Sequence, residues 1–201
     1  MLSDRVERSR SSLGLFVWTE GIRHSMPSTS LKFVYDGWDG YHRSIVNAVA
    51  PLTAEQLSCR AAPDMRSVGE LAWHIADGRV DWFRRIDAPH SASLWTEIEG
   101  REMRLPAGFD AEQLAAWLNQ TWEMIAATLA QWSVEDLSVT FNHSYQGKVY
   151  AVSRQWTIWR IMAHDIHHGG QLSELLAMQG IVPPEFTLLG GHLTEPPEAK
   201  G

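Results

Sequence analysis

The sequence predicts an all-α protein, a four-helix bundle with a long crossover loop and irregular N- and C-terminal extensions. Three observations carry this reading. Long segments repeat apolar side chains at intervals of three and four residues, helix-start signatures precede them, and no repeat of roughly 20–50 residues suggests a solenoid. At 201 residues the chain suits one hydrophobic core.

Taken in order, residues 1–28 read as a loosely attached extension, 29–183 as the bundle and 184–201 as an irregular tail. The first helix is expected over about 31–50, with Val34, Trp38, Tyr41, Ile45 and Val49 on one face and Pro51 ending it. Thr53 to Leu57 reads as a short capped turn, and Ser67 with Glu70 forms a capping box that opens a second helix running to about Ile86. The stretch from Asp87 to Gly108 lacks a sustained period and is the crossover loop, with at most short structure. Asp110 and Gln113 cap a third helix that reaches about Trp132, and a short extended pair is expected around Val139–Phe141 and Lys148–Ala151. Ser153 opens the fourth helix, which stops at Gly180 ahead of Pro183 and Pro184.

Composition narrows the function classes. Seventeen Lys and Arg against 24 Asp and Glu, for a net charge of −7, leave no basic face for a phosphate backbone, so a nucleic-acid partner is not expected. The single Cys59 rules out an internal disulfide and a cysteine-cage metal site, leaving histidine and carboxylate as the available ligands. No apolar run approaches the roughly 18 residues of a membrane span, and Leu13–Trp18 is too short for a signal-peptide core, so a cytoplasmic protein without a membrane partner is expected. The ten tryptophans should serve as core or pocket wall; Trp38, His42, Trp73 and Trp159 are the candidates for a pocket, although an aromatic stripe at helical spacing is more often core.

The chemistry-bearing residues are histidines. In MAHDIHHGGQLSEL (Met162–Leu175), His164 and His168 lie four residues apart, which sets both rings on one helix face a turn apart, where they can share an ion. His74 sits in the middle of the second helix among Leu71, Ala72, Ile75 and Ala76, where an unpaired imidazole is costly. Spacing leaves two readings of it open, a third ligand or a hydrogen-bonded core histidine. Asp77, Asp165, His167 and Gln171 stand near enough in sequence to orient a ring or touch a substrate, with a solvated helix face as the alternative for each. Asp77 follows His74 by one turn and Gln171 comes three residues after His168, which makes these two the preferred pair.

The segment HDIHHGGQL (His164–Leu172) resembles the HxxHHxGQL signature of the DinB/YfiT-like family of metalloenzymes, and SVGELAWHIA (Ser67–Ala76) resembles that family's other motif-bearing helix. The similarity spans roughly residues 31–183. It implies a four-helix bundle in which His74, His164 and His168 hold a divalent metal, with open coordination positions as in catalytic sites. Zinc is the leading ion, with nickel, iron and manganese as alternatives. Gly169 departs from the pattern, since family members often carry Arg there. The resemblance further implies a metal-dependent, thiol S-transferase-like enzyme or isomerase that activates a low-molecular-weight thiol such as bacillithiol, mycothiol or glutathione toward a small-molecule substrate, and a homodimer. The alternatives are a non-catalytic metal-binding or dimerising stress-response bundle and a metal-dependent hydrolase.

Two neighbouring readings fall away on the residues. His164-Asp165-x-x-His168 approaches the zincin HExxH, but Asp165 is a methylene shorter than the required glutamate and no HxxGxxH continuation follows. Di-iron bundles use Glu-x-x-His, whereas Glu70 precedes His74 by four.

Overall fold

Side chains at helix starts set the architecture. Ser30, Thr53, Ser67, Asp110 and Ser153 each accept a backbone N–H from the first turn that follows, satisfying donors that a helix start otherwise leaves open. At Thr53, Ser67 and Asp110 the third residue reaches back to complete a capping box. The computed structural model describes residues 30–100 and 105–181; the expected extensions over 1–28 and 184–201 lie outside the described residues. The elements are α1 (Leu31–Val34), α2 (Trp38–Val49), α3 (Ala54–Ser58), α4 (Val68–Arg85), α5 (Ser91–Ile98), α6 (Ala111–Gln131), a 3₁₀ turn (Glu135–Ser138), β1 (Thr140–Tyr145), β2 (Lys148–Ser153) and α7 (Arg154–Met178).

The long helices α2, α4, α6 and α7 form the bundle, with α4 packed on both α6 and α7, and α2 across the same pair. The all-α reading holds, with one two-stranded hairpin as the departure. Leu71, Ile75, Val80 and Phe83 of α4 meet Leu114, Leu118 and Ile125 of α6 and Ile158, Ile161 and Leu172 of α7 in one core, each fully or nearly fully withdrawn from water. Trp38, Trp73 and Trp117 belong to it, while Trp159 stands exposed.

The structure differs from the sequence reading in two places, the first helix and the hairpin. The first helix is two, because Gly37 takes φ of 91° and starts α2 afresh from a left-handed position that side chains disfavour. The short structure expected in the crossover is α5, two turns that pack on α4 and bury Ser91 and Ile98. The extended pair is longer than expected: a full antiparallel hairpin whose register pairs Tyr145 with Lys148. Gln146 and Gly147 close it with φ of 48° and 74°, the doubly left-handed turn that matches the twist of tight hairpins. No helix among the described residues is long and apolar enough to cross a membrane.

Candidate metal centre

Helices α4 and α7 carry three imidazoles into one place. His74, His164 and His168 each offer a ring nitrogen, and the three atoms lie within 4.8 Å of one another, a set that could hold a metal ion. The rings pack at centroid distances of 4.9 Å (His74–His164), 4.7 Å (His74–His168) and 4.4 Å (His164–His168). The i, i+4 pair on α7 thus meets the histidine of α4 across the helix interface. Close approach is allowed by Gly78, one turn after His74: a Cβ there would stand 2.7 Å from His164 Cε1.

Whether these residues suit a metal can be tested on their polar contacts. His74 Nε2 and His164 Nε2 face each other at 3.3 Å. Two nitrogens bound at about 2.0–2.1 Å to one tetrahedral ion stand roughly 3.3 Å apart, so the pair is spaced as shared ligands are. The Nδ1 atoms of both rings are buried without a hydrogen-bond partner among the described residues, a cost that binding an ion through Nε2 would help to offset. His168 is tied down: its Nδ1–H donates to Gln171 Oε1 at 2.7 Å. An amide oxygen only accepts, so the proton sits on Nδ1 and Nε2 keeps its lone pair.

Two of the rings, those of His74 and His168, are also held neutral. Burial, together with the positive charge of Arg66 and the neighbouring histidines, lowers His74 from 6.5 to about 3. Burial likewise lowers His168 to about 4, against the opposing hydrogen bond to Gln171. Neutral imidazole is the ligating form. The cluster is not sealed, since the His164 side chain keeps 19% of its exposure.

The other candidates divide. Gln171 touches a ring of the cluster, as its place after His168 suggests. Asp77 is buried in α4. His167 is exposed, its ring 4.8 Å from that of His168. Asp165 takes neither the solvated face nor a ligand position. It is fully buried and paired with an equally buried Arg79 at 2.8 Å, and it also accepts from Trp38 Nε1 at 2.9 Å. Burial pushes its carboxyl up, but the Arg79 charge and the hydrogen bonds outweigh this and hold it below the usual range. Its Oδ1 stands 3.9 Å from His164 Nδ1, adjacent to the ring but beyond hydrogen-bond reach. Arg79 extends the network to His42 Nδ1, Leu118 O and Thr121 Oγ1. Sequence reasoning missed Arg79; the one available signal was an arginine set between Gly78 and Val80 on an apolar helix face.

Gly169 has a structural reason. A Cβ there would collide with the Tyr41 hydroxyl, and the ring carbon bearing that hydroxyl would lie at 3.0 Å. Tyr41 donates to Ile166 O at 3.1 Å, so its phenol occupies the space into which a side chain at 169 would start.

A profile of the DinB superfamily matches residues 40–172. The chain belongs to the DinB superfamily. The matched span contains all three histidines. Among solved structures, a DinB-like protein from Bacillus cereus aligns over 78% of this chain and 97% of its own, with a TM-score of 0.61 at 20% identity. A DinB-like protein from Bacillus subtilis aligns over 72% and 90%, with a TM-score of 0.51 at 16% identity. A conserved protein from Enterococcus faecalis aligns over 69% and 90%, with a TM-score of 0.52 at 19% identity. At these identities the likeness shows a shared DinB-type fold. No curated protein matches the chain.

Proposed function

We propose that this DinB-superfamily protein is a metal-dependent enzyme, acting as a transferase or isomerase on a small molecule with a low-molecular-weight thiol as cosubstrate, at a centre formed by His74, His164 and His168. The observation that carries the reading is the convergence of three imidazoles from α4 and α7, their ring nitrogens within 4.8 Å of one another and two of them facing each other at 3.3 Å. Zinc is the ion we assign, since three neutral nitrogens suit it and leave room for a further ligand. A divalent ion held there would supply Lewis acidity, making a thiol or water easier to deprotonate at neutral pH.

The chain's own residues supply the rest. Gln171 orients His168 and fixes its tautomer through the 2.7 Å hydrogen bond. Gly78 lets the His164 ring lie against α4. Arg66, exposed at the start of α4, lends a positive charge felt by both His74 and His168, which favours the approach of an anionic cosubstrate. Buried Asp165, neutralised by Arg79, anchors the α7 turn that carries His164.

The test is elemental analysis of protein purified without added metal, for wild type and His164→Ala, with thiol-transfer assays on the same samples and circular dichroism to establish folding. Near-stoichiometric metal in the wild type and its loss in the folded variant are expected. Metal that survives the substitution would sink the centre. Stoichiometric metal with no thiol-dependent loss of any electrophile would remove the transferase reading and leave the centre standing.

A further inference from the structure

A concave site opens on the α4–α7 seam beside the histidine cluster. It has a volume of about 570 Å³ and is walled by Trp82 of α4, Trp156 and Arg160 of α7, and His143, Tyr145 and Tyr150 of the hairpin. That volume lies within the range of small-molecule sites. Its aromatic walls are wet: Trp156 is 41% exposed, Tyr150 45% and Tyr145 58%. Large rings gathered in one exposed hollow mark a binding surface more than a packing need.

Arg160 gives the hollow its charge. Its guanidinium carbon lies over Trp82 at 4.6 Å and over Trp156 at 5.3 Å from the ring centroids. A cation–π contact uses none of the five N–H donors of a guanidinium as a hydrogen bond, so they remain available to a carboxylate. Among the described residues no carboxylate pairs with Arg160 and no acceptor takes its N–H groups. Arg85, the other cation on Trp82 at 5.1 Å, is in the opposite condition. It is held by both oxygens of Asp81 at 2.8 and 3.0 Å and donates to His143 Nδ1 at 3.1 Å. Since arginine only donates, His143 accepts at Nδ1, keeps its proton on Nε2 and adds an N–H donor to the wall. The hollow thus combines aromatic faces, one unneutralised cation and one further donor.

We infer that this hollow binds a small planar aromatic carboxylate, its ring against Trp82, Trp156 and the hairpin tyrosines and its carboxylate on Arg160. Arg160 precedes His164 by one turn of α7, and Trp82 follows Gly78 by one turn of α4, so the site begins about 6 Å along the helix axes from the histidine cluster. Its assignment as the seat of the reaction's electrophile rests on the proposed metal centre; binding itself does not.

Isothermal titration calorimetry of the full chain in the presence of EDTA, with 2-naphthoate and the uncharged 2-naphthamide as probes, tests the site. One saturable equivalent of naphthoate is expected, bound about tenfold more tightly than the amide, as one charge-assisted hydrogen-bonded pair provides. Arg160→Gln should erase that preference, Trp156→Ala should weaken both probes, and His164→Ala should leave both unchanged. Indole N–H resonances in ¹⁵N spectra provide a readout on the unmodified chain: naphthoate should shift the Trp82 and Trp156 signals and spare buried Trp117. Equal affinities for the two probes, a preference that survives Arg160→Gln, or naphthoate binding lost in His164→Ala would each overturn the inference. Absence of metal in the elemental analysis would leave it standing.

Discussion

Gly78 sets how near α4 can come to the imidazole of His164, so its replacement probes the centre without touching a ligand. In Gly78→Ala the new methyl would stand 2.7 Å from His164 Cε1 and must displace the ring. Alanine favours the helix by about 1 kcal/mol, so the fold should survive while metal affinity falls on the order of 10- to 100-fold, as it does when a ligand's orientation is disturbed. A competition titration against a chromophoric chelator measures this. His42 offers a second residue-level test. Burial, with the Arg79 charge beside it and Arg43 further off, lowers it from 6.5 to about 3, against the favourable Asn119 hydrogen bond and Asp165 charge. Between those values the unfolded chain carries a proton that the folded chain refuses. Its contribution is therefore complete above about pH 6.5 and is lost as pH falls toward 3, at about 1.4 kcal/mol per unit. His74 and His168 are lowered too, so the comparison is with His42→Gln. Urea midpoints between pH 7 and 4 should fall less steeply for that variant, and identical slopes would contradict the assignment.

At the level of elements, α4 matters most, because it carries His74 and Gly78 and spans core and seam alike. Its start depends on Ser67, 3% exposed, which accepts from Glu70 N at 3.2 Å while Glu70 Oε2 accepts from Ser67 N at 2.7 Å. Ser67→Ala should cost about 1 kcal/mol, which for a chain of this size lowers Tm by roughly 2–4 °C, read by calorimetry. This capping box and that of Asp110 were legible in the sequence, since caps are local and write themselves into four consecutive residues. The boundaries of α6 and α7 were legible for the same reason. The break at Gly37 was not: a helical apolar period runs straight through it, and only the backbone turn of that glycine separates α1 from α2. Nor were the bounds of α5, whose two turns are defined by packing on α4 more than by any period of their own. The hairpin was glimpsed but shortened, because Tyr145, Val149 and Tyr150 are large and exposed and blur the alternation that marks a half-buried strand.

For the molecule as a whole, an ion bound only by the folded state must stabilise it. Zinc at 100 times its Kd should add about 2.7 kcal/mol, raising Tm in proportion, and His164→Ala should remove the increment; an equal rise in both proteins would assign the effect to surface binding. The histidine cluster was within reach of sequence reasoning because His164 and His168 declare their common face by spacing and the family resemblance supplies His74. The polar core beside it was not, because Arg79 and Asp165 are 86 positions apart and neither local sequence names the other as its partner. That core has a bearing on assembly. Arg79 reaches Asp165 on α7, His42 on α2, and Leu118 and Thr121 on α6, while Trp38 of α2 closes the far side. A four-way junction of this kind tolerates no slippage: a helix displaced by one turn strands a charge in oil, where a lone ion costs several kcal/mol. The junction therefore works as a vernier, rejecting near-miss alignments that an all-hydrocarbon interior would accept, and holding α4 and α7 in the one register that aligns their histidines.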